Sequence, residues 1–361
     1  MQIVHLLPDS LYSKKFLEVL AINTEAIKHF VLLPENPKYI DISSPLFGSL
    51  DIACFSRKNR IQRISCLKEY VEKTDKLVAH YLDDNVLLLL LCYPSLANKV
   101  CWVLWGGDLY YRVIRPHDIK SWLREKARER VIPQIPQVGM LVDGDYELLK
   151  KWYGFRGKRH ELFYPLPSPL GTYSVDNNME VEREIKILVG NSADPSNNHK
   201  EIFEVLASKK LSEWNIKIIC PLSYGDRNYA SQIANYGRSL LGERFSPLFD
   251  FMSCDKYVAF MGNMNIVIMN HRRQQGLGNI LLALSLGKKV YVRSDTTSYA
   301  FFKSRNIEVY DTLRIKFQSV EDLLTCNASE AKDISSKIKS YFSDENGIRL
   351  WKKFFEDILN S

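Results

Sequence analysis

The residues best suited to bind an anion are Arg272-Arg-Gln-Gln-Gly-Leu-Gly278. Periodicity predicts a buried strand from Asn265 to Met269 and a helix from Gly276 to Leu286. Gly276 and Gly278 therefore lie where a loop turns into a helix. Backbone N–H groups there are unshielded by side chains, and the helix dipole presents its positive end. Such a turn is suited to a diphosphate.

Polar side chains surround this predicted helix start. Arg272 and Arg273 can add charge-assisted hydrogen bonds to phosphate oxygens. Gln274 and Gln275 can bond sugar hydroxyls, and we assign Asn279 to the same donor-binding group. The alternative interpretation is a glycine-bearing turn beside solvated arginines, because short glycine motifs often occur without any ligand.

A second polar loop follows a strand predicted from Glu184 to Gly190 and leads into a helix from His199 to Ala207. Small hydroxyl and amide groups at the carboxyl end of a strand suit phosphate or sugar hydrogen bonding. The alternative is helix capping by Ser196 or Asn197. The candidate donor-binding residues of this loop are Gly190, Asn191, Ser192 and His199.

The strand from Asn215 to Cys220 ends close to Tyr224. This ring can stack on a nucleobase or simply cover the sheet edge. The next strand is predicted from Leu248 to Met252. Four strand ends of the second half therefore converge on one rim.

In the first half, Trp105-Gly-Gly-Asp108 follows a predicted strand and leaves Asp108 on a loop. A general base or hydroxyl-binding carboxylate takes this position, and so does a turn aspartate that bonds its own backbone. His80 ends the strand Lys76-Leu-Val-Ala-His80, and His5 belongs to a neighbouring strand. Both are candidates for lining a cleft, although a packed structural histidine is common.

The segment from Tyr110 to Arg130 contains seven Lys or Arg against three Asp or Glu, interleaved with aromatic residues. A basic, aromatic, interrupted helix of this kind can lie against anionic headgroups, and it can equally be a solvated helix. We assign six residues to an acceptor or membrane side: Trp105, Tyr110, Arg112, Arg115, Trp122 and Arg124.

Composition bounds the molecule without choosing a function. The chain of 361 residues suggests two domains, and a net charge of +7 is compatible with anionic ligands, membranes or nucleic acid. No nucleic-acid module is recognised. Seven cysteines without C-x-x-C spacing indicate buried thiols in a reducing compartment. The start of the chain reads as a strand and not as an export signal, and no apolar stretch approaches the roughly 20 residues of a spanning helix.

Alternating strands and helices predict an α/β protein with two doubly wound domains. An irregular proline-bearing stretch places the boundary near residue 175, giving domains 1–175 and 176–361. The C-terminal helices, predicted from Glu330 to Leu359, are expected to return to the first domain. Asp143-Gly-Asp145 spells the D-x-D of metal-dependent transferases, but it reads more simply as a turn and helix cap, so no metal site is predicted.

Three ordered motifs resemble one enzyme family: Trp105-Gly-Gly-Asp-Leu-Tyr110, Ile187-Leu-Val-Gly-Asn-Ser192 with Asn198-His199, and Arg273-Gln-Gln-Gly-Leu-Gly278. The family is that of the TDP-N-acetylfucosamine:lipid II N-acetylfucosaminyltransferases, glycosyltransferase family 56, also called 4-alpha-L-fucosyltransferases. Weaker similarity at His5, His80, Gly144-Asp145 and Tyr164 extends the match.

The resemblance implies a GT-B fold of two Rossmann-like domains facing a cleft, with the acceptor bound by the first and the nucleotide sugar by the second. It implies transfer from a TDP-sugar to an undecaprenyl-diphosphate-linked glycan at the cytoplasmic face of the bacterial inner membrane, without a metal or cofactor. Asp108 and His80 are then the catalytic candidates. Pro221-Leu-Ser-Tyr-Gly225 and the segment after Val292 depart from the family pattern.

Those departures leave the sugar and the nucleobase open. Enterobacterial common antigen, O-antigen and capsule pathways all remain possible, as does a UDP-sugar donor. A sugar-nucleotide epimerase shares the architecture, and a non-catalytic membrane-associated scaffold is the third reading. Incubation with donor alone distinguishes the epimerase, and absence of nucleotide binding would favour the scaffold.

Overall fold

The computed structural model describes residues 1–22, 27–55, 59–167, 170 and 184–361. The chain forms two compact units. Unit 1 contains Met1–Pro167 and Phe342–Ser361, and unit 2 contains Ser168–Tyr341. The boundary predicted near residue 175 lies outside the described residues.

Unit 1 is built on a parallel sheet whose strands, in the described part of the chain, run in the order β3-β2-β1-β4-β5-β6-β7. Helices cover both faces of this sheet, and its central strands are largely apolar and buried. The strands are β1 (Gln2–Leu6), β2 (Lys28–Leu33), β3 (Asp51–Cys54), β4 (Lys76–His80), β5 (Val100–Val103), β6 (Gln137–Met140) and β7 (Lys158–Glu161). The helices are α1 (Leu11–Ile22), α2 (Arg60–Lys73), α3 (Asp84–Cys92), α4 (Tyr111–Ile114), α5 (Ile119–Val131), α6 (Asp143–Tyr153) and, from the end of the chain, α14 (Asp344–Leu359).

Unit 2 repeats this architecture with a parallel sheet in the order β10-β9-β8-β11-β12-β13. Its strands are β8 (Ile185–Val189), β9 (Ile216–Pro221), β10 (Phe245–Leu248), β11 (Ile266–Met269), β12 (Lys289–Val292) and β13 (Tyr310–Asp311). Its helices are α7 (His199–Ala207), α8 (Arg227–Leu241), α9 (Cys254–Gly262), α10 (Leu277–Ser285), α11 (Thr297–Ser304), α12 (Val320–Leu324) and α13 (Ala328–Tyr341).

The strand order reverses once in each sheet, between β1 and β4 in unit 1 and between β8 and β11 in unit 2. Loops diverge at such a point because the helices that follow the two strands lie on opposite faces of the sheet. The crevice between the loops is where open α/β sheets bind ligands. Both polar loops singled out in the second half of the sequence follow the two strands at this point of unit 2.

The strand predicted from Leu248 to Met252 is wrong in its position. Strand β10 spans Phe245–Leu248 and ends where the predicted strand begins. Phe249 and Phe251 are exposed beyond its carboxyl end, so the apolar run does not mark a buried strand. These aromatic rings stand on the rim of the sheet.

Candidate functional site

Two glycines with left-handed backbone lie at the switch point of unit 2. Gly190 follows β8 with a φ of +72°, and Gly276 precedes α10 with a φ of +63°. A Cβ atom on Gly190 would lie 2.4 Å from His199 Nε2, and one on Gly276 would lie 2.9 Å from His271 Cε1. Glycine is therefore required at both turns by conformation and by space. Backbone without side chains is therefore present in both loops at the carboxyl ends of the unit 2 strands.

Buried amide and imidazole groups join these two loops. His271 Nε2 lies 3.1 Å from Asn191 Oδ1 and 2.9 Å from Asn197 Oδ1. Since both partners are acceptors, Nε2 must carry a proton and donate to them. Burial lowers the pKa of His271 to about 3, so the ring is neutral at physiological pH. The Asn197 Oδ1 atom also accepts from the Asn191 backbone N–H over 2.9 Å.

The loop after β9 is tied to the same network. Asn191 Nδ2 donates to Tyr224 Oη over 2.8 Å, while the Tyr224 ring remains exposed. A β-bridge joins Ala193 to Gly225, next in the chain to the tyrosine. Tyr224 thus presents an immobilised aromatic face to solvent at the rim.

His199 begins α7 and is fully buried behind Gly190. Its Nδ1 atom lies 3.1 Å from Tyr229 Oη, whereas its buried Nε2 atom has no hydrogen-bond partner within the described ranges. Burial lowers the pKa of His199 to about 4. This nitrogen is an unsatisfied polar atom directly behind the bare backbone of the loop. Ser192, in the same loop, is buried and accepts from Asn197 Nδ2 over 3.2 Å.

Cationic and amide groups complete the rim beside Gly276. The Arg273 guanidinium donates to Asp194 over 3.3 Å, and its Nε atom has no acceptor in the described part of the chain. The buried Oε1 atom of Gln274 also lacks a donor there. Gln275 accepts from the Ser196 hydroxyl. Two buried polar atoms, Arg273 Nε and Gln274 Oε1, therefore have no partner among the described residues.

Helix α10 presents its amino-terminal end to the same place. Gly276 is its N-cap without a side-chain cap, and Gly278 and Asn279 lie in its first turn. The Asn279 backbone N–H bonds the Gly276 carbonyl over 2.9 Å. The first turn of a helix carries the positive end of the dipole and unpaired N–H groups, which favour a phosphate. The structure thus gathers the predicted donor-binding residues around one rim.

Four rim residues were not among the predicted site residues. His271 and Asn197 hold the loops together, and Glu201 forms an ion pair with Arg293 over 2.8 Å. The available signal was position: His271 and Arg293 each follow a buried strand end closely. Helix capping by Ser196 or Asn197 is wrong, because the N-cap of α7 is Asn198 in left-handed conformation.

At the switch point of unit 1 the strand ends enclose a pocket of about 450 Å³. His80 lines it, as predicted, together with Glu35, Arg63 and the helix-capping Asp83. The Arg63 Nε atom is buried without a hydrogen-bond acceptor in the described residues. His5 does not line this pocket, so its predicted cleft-lining position is wrong; both of its ring nitrogens bond other buried histidines. The pocket offers carboxylates and a cation to polar groups such as sugar hydroxyls.

Asp108 is buried, and four hydrogen-bond donors surround its carboxylate. Oδ2 accepts from Trp102 Nε1 over 2.7 Å and from the Leu82 N–H over 3.2 Å. Oδ1 accepts from the backbone N–H groups of Trp105 and Leu109, each over 3.0 Å. Burial raises the pKa of Asp108, while the Trp102 hydrogen bond opposes this effect. This geometry makes Asp108 an anchor of its loop, and a general-base role stays a prediction.

The basic segment divides at Pro116 into α4 and α5. Trp122 is exposed, and Arg124 pairs with Asp84 over 2.6 Å while stacking on Tyr111. Arg112 pairs with Glu125 and Glu129, and the buried Nε atom of Arg115 has no acceptor in the described residues. Trp105 packs edge-on against Tyr164, with ring centroids 5.0 Å apart.

An acceptor-side or membrane-side position for Tyr110 is wrong. Its ring is buried, and its hydroxyl donates to Asp145 Oδ1 over 2.9 Å. Asp143, the other carboxylate of the D-x-D sequence, pairs with Arg159. Among the described residues, no group of His, Cys, Asp or Glu is arranged to hold a metal ion. In the same residues, every helix is too short or too polar to cross a bilayer.

A family model described as 4-alpha-L-fucosyltransferase, glycosyl transferase group 56, matches residues 11–320. The chain belongs to this family. The family predicted from the three motifs is therefore confirmed, and the protein is a glycosyltransferase.

Solved structures confirm the predicted fold class. A glycosyltransferase from Rickettsia africae has a TM-score of 0.67 at 10% identity, with 99% of this chain and 98% of that chain covered. Anabaena Alr3699/HepE in complex with UDP and glucose has a TM-score of 0.67 at 11% identity, with both chains fully covered at 100%. WaaG, a glycosyltransferase involved in lipopolysaccharide biosynthesis, has a TM-score of 0.62 at 12% identity, with 99% of each chain covered.

These similarities establish a GT-B fold for this group 56 enzyme. A glycosyltransferase needs a nucleotide-sugar donor and an acceptor glycan. The two switch points supply one polar rim in each unit, with the glycines, cation and helix start in unit 2.

Proposed function

We propose that this group 56 enzyme transfers an N-acetylfucosamine-like sugar, 4-acetamido-4,6-dideoxy-galactose, from a TDP-sugar to an undecaprenyl-diphosphate-linked glycan. Unit 2 binds the donor, and unit 1 binds the acceptor. The product belongs to enterobacterial common antigen, O-antigen or capsule. The observation that carries the proposal is the pair of left-handed glycines at Gly190 and Gly276, held together through His271 and Asn191.

The unit 2 rim matches the needs of a departing diphosphate. When the bond from the sugar C1 to the phosphate oxygen breaks, negative charge grows on the diphosphate. The first turn of α10 and the Arg273 guanidinium supply positive charge at one place. The Gln274 Oε1 atom, which has no donor among the described residues, accepts a hydrogen bond from a sugar hydroxyl, and no metal is required in this scheme.

Exposed aromatic rings support a nucleobase site beside the diphosphate. Tyr224 follows β9, and Phe249 and Phe251 follow the neighbouring β10. Parallel strands end at the same edge of a sheet, so these rings stand on one rim. A nucleobase placed there stacks on an aromatic face at little entropic cost, because hydrogen bonding already holds the Tyr224 hydroxyl.

Helix α5 supports peripheral attachment to the cytoplasmic face of the inner membrane. Its inner side is polar, with Glu125 and Arg128 buried, whereas Ile119, Trp122 and Leu123 share an exposed stripe. A helix in water normally turns its apolar stripe inward. This reversed arrangement suits an anionic bilayer, which accepts the apolar stripe and attracts basic neighbours. Those basic neighbours are Lys120, Lys126 and Arg130.

The test begins with thermal-shift screening of TDP-sugars and UDP-sugars, followed by product analysis with a lipid-linked acceptor. We expect a TDP-sugar to raise Tm and its sugar to appear on the acceptor. The complex of HepE with UDP makes a UDP-sugar the alternative donor. Conversion of donor alone to an isomer would favour an epimerase, and a lack of binding by every nucleotide sugar would contradict the proposal.

A further inference from the structure

Three histidines lie on one face of the unit 1 sheet, in adjacent strands. His29 in β2 lies two residues before Val31, which pairs with His5 of β1. His5 also pairs with Val78 of β4, and His80 lies two residues beyond Val78. Side chains two residues apart share a face, so the three imidazoles form a diagonal column. The column runs from the carboxyl end of β4 to the amino end of β2.

The imidazoles are linked by hydrogen bonds. His29 Nδ1 lies 2.9 Å from His5 Nε2, and His5 Nδ1 lies 3.0 Å from His80 Nε2. His80 Nδ1 bonds the hydroxyl of Tyr164, in the segment that follows β7. Four side chains therefore form one continuous chain from Tyr164 to His29.

Helices α1 and α14 seal this column from the side. Phe355 of α14 covers His5 and His29 with ring centroids 5.6 and 5.0 Å away, and Phe16 of α1 packs 4.8 Å from the His80 ring. Trp351 stacks on His80 with centroids 5.6 Å apart. Apolar side chains would fill this space without the cost of burying imidazoles. Packing alone therefore does not explain why three histidines occupy this buried space.

Burial keeps the histidines neutral. It lowers the pKa of His5 well below its ordinary value, that of His29 to about 4 and that of His80 to about 3. A neutral imidazole has one donor and one acceptor nitrogen. Two linked rings must then point their protons the same way. The three histidines carry their protons either all on Nε2 or all on Nδ1.

The ends of the column differ in their surroundings. His80 lines the pocket of about 450 Å³ at the unit 1 switch point, which the proposed function assigns to the acceptor. His5 in the middle is fully buried, whereas His29 at the far end keeps a small exposed area. The hydrogen-bonded chain thus runs from the partly exposed Tyr164, next to the pocket-lining His80, to the opposite end of the sheet.

We propose that Tyr164, His80, His5 and His29 form a proton relay that removes the proton of the acceptor hydroxyl during transfer. This inference rests on the proposed function. The acceptor oxygen forms a bond to the sugar C1 as the bond from C1 to the diphosphate oxygen breaks, and the diphosphate keeps the electron pair. Tyr164 takes the hydroxyl proton and gives its own to His80 Nδ1.

The remaining steps move one proton through each ring. His80 gives its Nε2 proton to His5 Nδ1, and His5 gives its Nε2 proton to His29 Nδ1. His29 releases its Nε2 proton to water, so one proton enters and one leaves. No ring ends charged, and each ring then carries its proton on Nδ1. After the product leaves, a proton from water enters at His29 Nε2 and the same transfers run backwards, which releases a proton from Tyr164 to solvent and restores the starting tautomers. Burial, which disfavours an imidazolium, is compatible with concerted transfer of this kind.

The test replaces His5, the middle of the relay, by Phe and compares it with Phe355→Leu, which alters packing over the same rings. Transfer to the lipid-linked acceptor is measured under single-turnover conditions in H₂O and D₂O mixtures. TDP affinity is measured by calorimetry. For H5F we expect about 100-fold slower transfer, the size of a lost acid-base contribution, with TDP affinity unchanged. For F355L we expect a lower Tm but transfer within threefold of wild type.

The dependence on D₂O fraction distinguishes a relay from a structural role. Wild type should show a curved dependence, because several protons move together, and H5F a linear one. Transfer by H5F within twofold of wild type would overturn the relay. Absence of both transfer and TDP binding in wild type would instead overturn the proposed function.

The relay can also be tested without substrate. In wild-type protein labelled with ¹⁵N-histidine, the ring nitrogen shifts report each tautomer. We expect His5, His29 and His80 to share one tautomer. A mixed set of tautomers would break the hydrogen-bond direction and contradict the relay, whether or not H5F folds.

Discussion

His271 Nε2 donates to Asn191 Oδ1 over 3.1 Å and so joins the loop after β11 to the loop after β8. The two loops stand on either side of the unit 2 switch point. Because the bond is buried and the imidazole is neutral, it is not screened by solvent or salt. The loops therefore form one platform, whose shape depends on the space left beside His271.

Gly276→Ala should disrupt this platform. Its φ of +63° disfavours alanine, and the new Cβ would lie 2.9 Å from His271 Cε1. We expect at least tenfold weaker TDP binding by calorimetry. Gly154→Ala is the matched control, since Gly154 has a φ of +66° and open space around it. In both variants, backbone strain should lower the free energy of unfolding by about 1 kcal/mol. Equal TDP affinity in both would contradict the platform.

Arg273→Ala should weaken TDP binding by 10- to 100-fold, roughly the 1.5–3 kcal/mol of a charge-assisted hydrogen bond. The Arg273 side chain is 11% exposed and forms an ion pair with Asp194. Its neighbour Arg272 is the control, because its side chain is 65% exposed. Arg272→Ala also removes one positive charge, but from a solvent-exposed position, and should change the TDP affinity less than threefold. Similar losses for the two variants would indicate a general charge effect instead of a phosphate contact.

Asp108→Asn should destabilise unit 1. The carboxylate accepts four hydrogen bonds, and an asparagine would turn its Nδ2 donors towards two of those N–H groups. We expect a loss of about 3 kcal/mol in the free energy of unfolding and a lower Tm. Asp83→Asn is the control, because asparagine is an equally good helix N-cap. A D108N variant with wild-type Tm and no transfer would make Asp108 the general base.

The buried histidines of unit 1 should make its stability fall as the pH falls. Burial lowers the pKa of His29 to about 4 and of His80 to about 3, while an unfolded histidine titrates near 6.5. The unfolded chain therefore binds protons that the folded chain does not. The contribution is complete above pH 6.5 and is lost as pH falls towards 4, at about 2 kcal/mol per histidine by pH 5.

Urea unfolding at pH 7 and pH 5 measures this loss. The free energy of unfolding of the variant His29→Phe should fall less between pH 7 and pH 5 than that of wild type. The difference should be about 2 kcal/mol, the contribution of one buried histidine. His117→Gln, at an exposed position, should follow the wild-type dependence. Identical pH dependence for H29F and wild type would contradict the expected burial effect.

The exposed stripe of α5 should govern binding to anionic vesicles. Ile119 is 79% exposed, so Ile119→Gln costs little stability but removes apolar area available to the bilayer. We expect severalfold weaker co-sedimentation with vesicles containing phosphatidylglycerol. Ile22→Gln, at 80% exposure on α1, is the matched control and should bind as wild type does. Equal loss in both variants would argue against a specific membrane-facing helix.

Local patterns predicted the parts of the fold that depend on local chemistry. The helix predicted from His199 to Ala207 has those bounds in the structure, and α10 lies within one residue of its predicted ends. The glycine turns at Gly190 and Gly276 were recognisable because a left-handed turn restricts residue type. Sequence also indicated that several polar loops converge, since parallel strands end at one edge.

Side-chain pairing was the part that local patterns did not reveal. Nothing in the sequence around Asp108 shows that Trp102 and Leu82 consume its acceptor capacity, because those donors come from other strands and loops. The run from Leu248 to Met252 is apolar enough for a strand, yet Phe249 and Phe251 remain exposed. The histidine column likewise depends on register across three strands, which no single segment encodes.

Helix α14 covers the histidine column of unit 1, although it is made after every residue of unit 2. Unit 2 is contiguous in sequence, so during translation it can complete its core before Phe342–Ser361 emerge from the ribosome. Until those residues emerge, His5 and His29 lack Phe355. Unit 1 is thus begun first but is completed only after unit 2, and a chain truncated before residue 342 would contain all of unit 2 beside a unit 1 whose histidine column lacks its α14 cover.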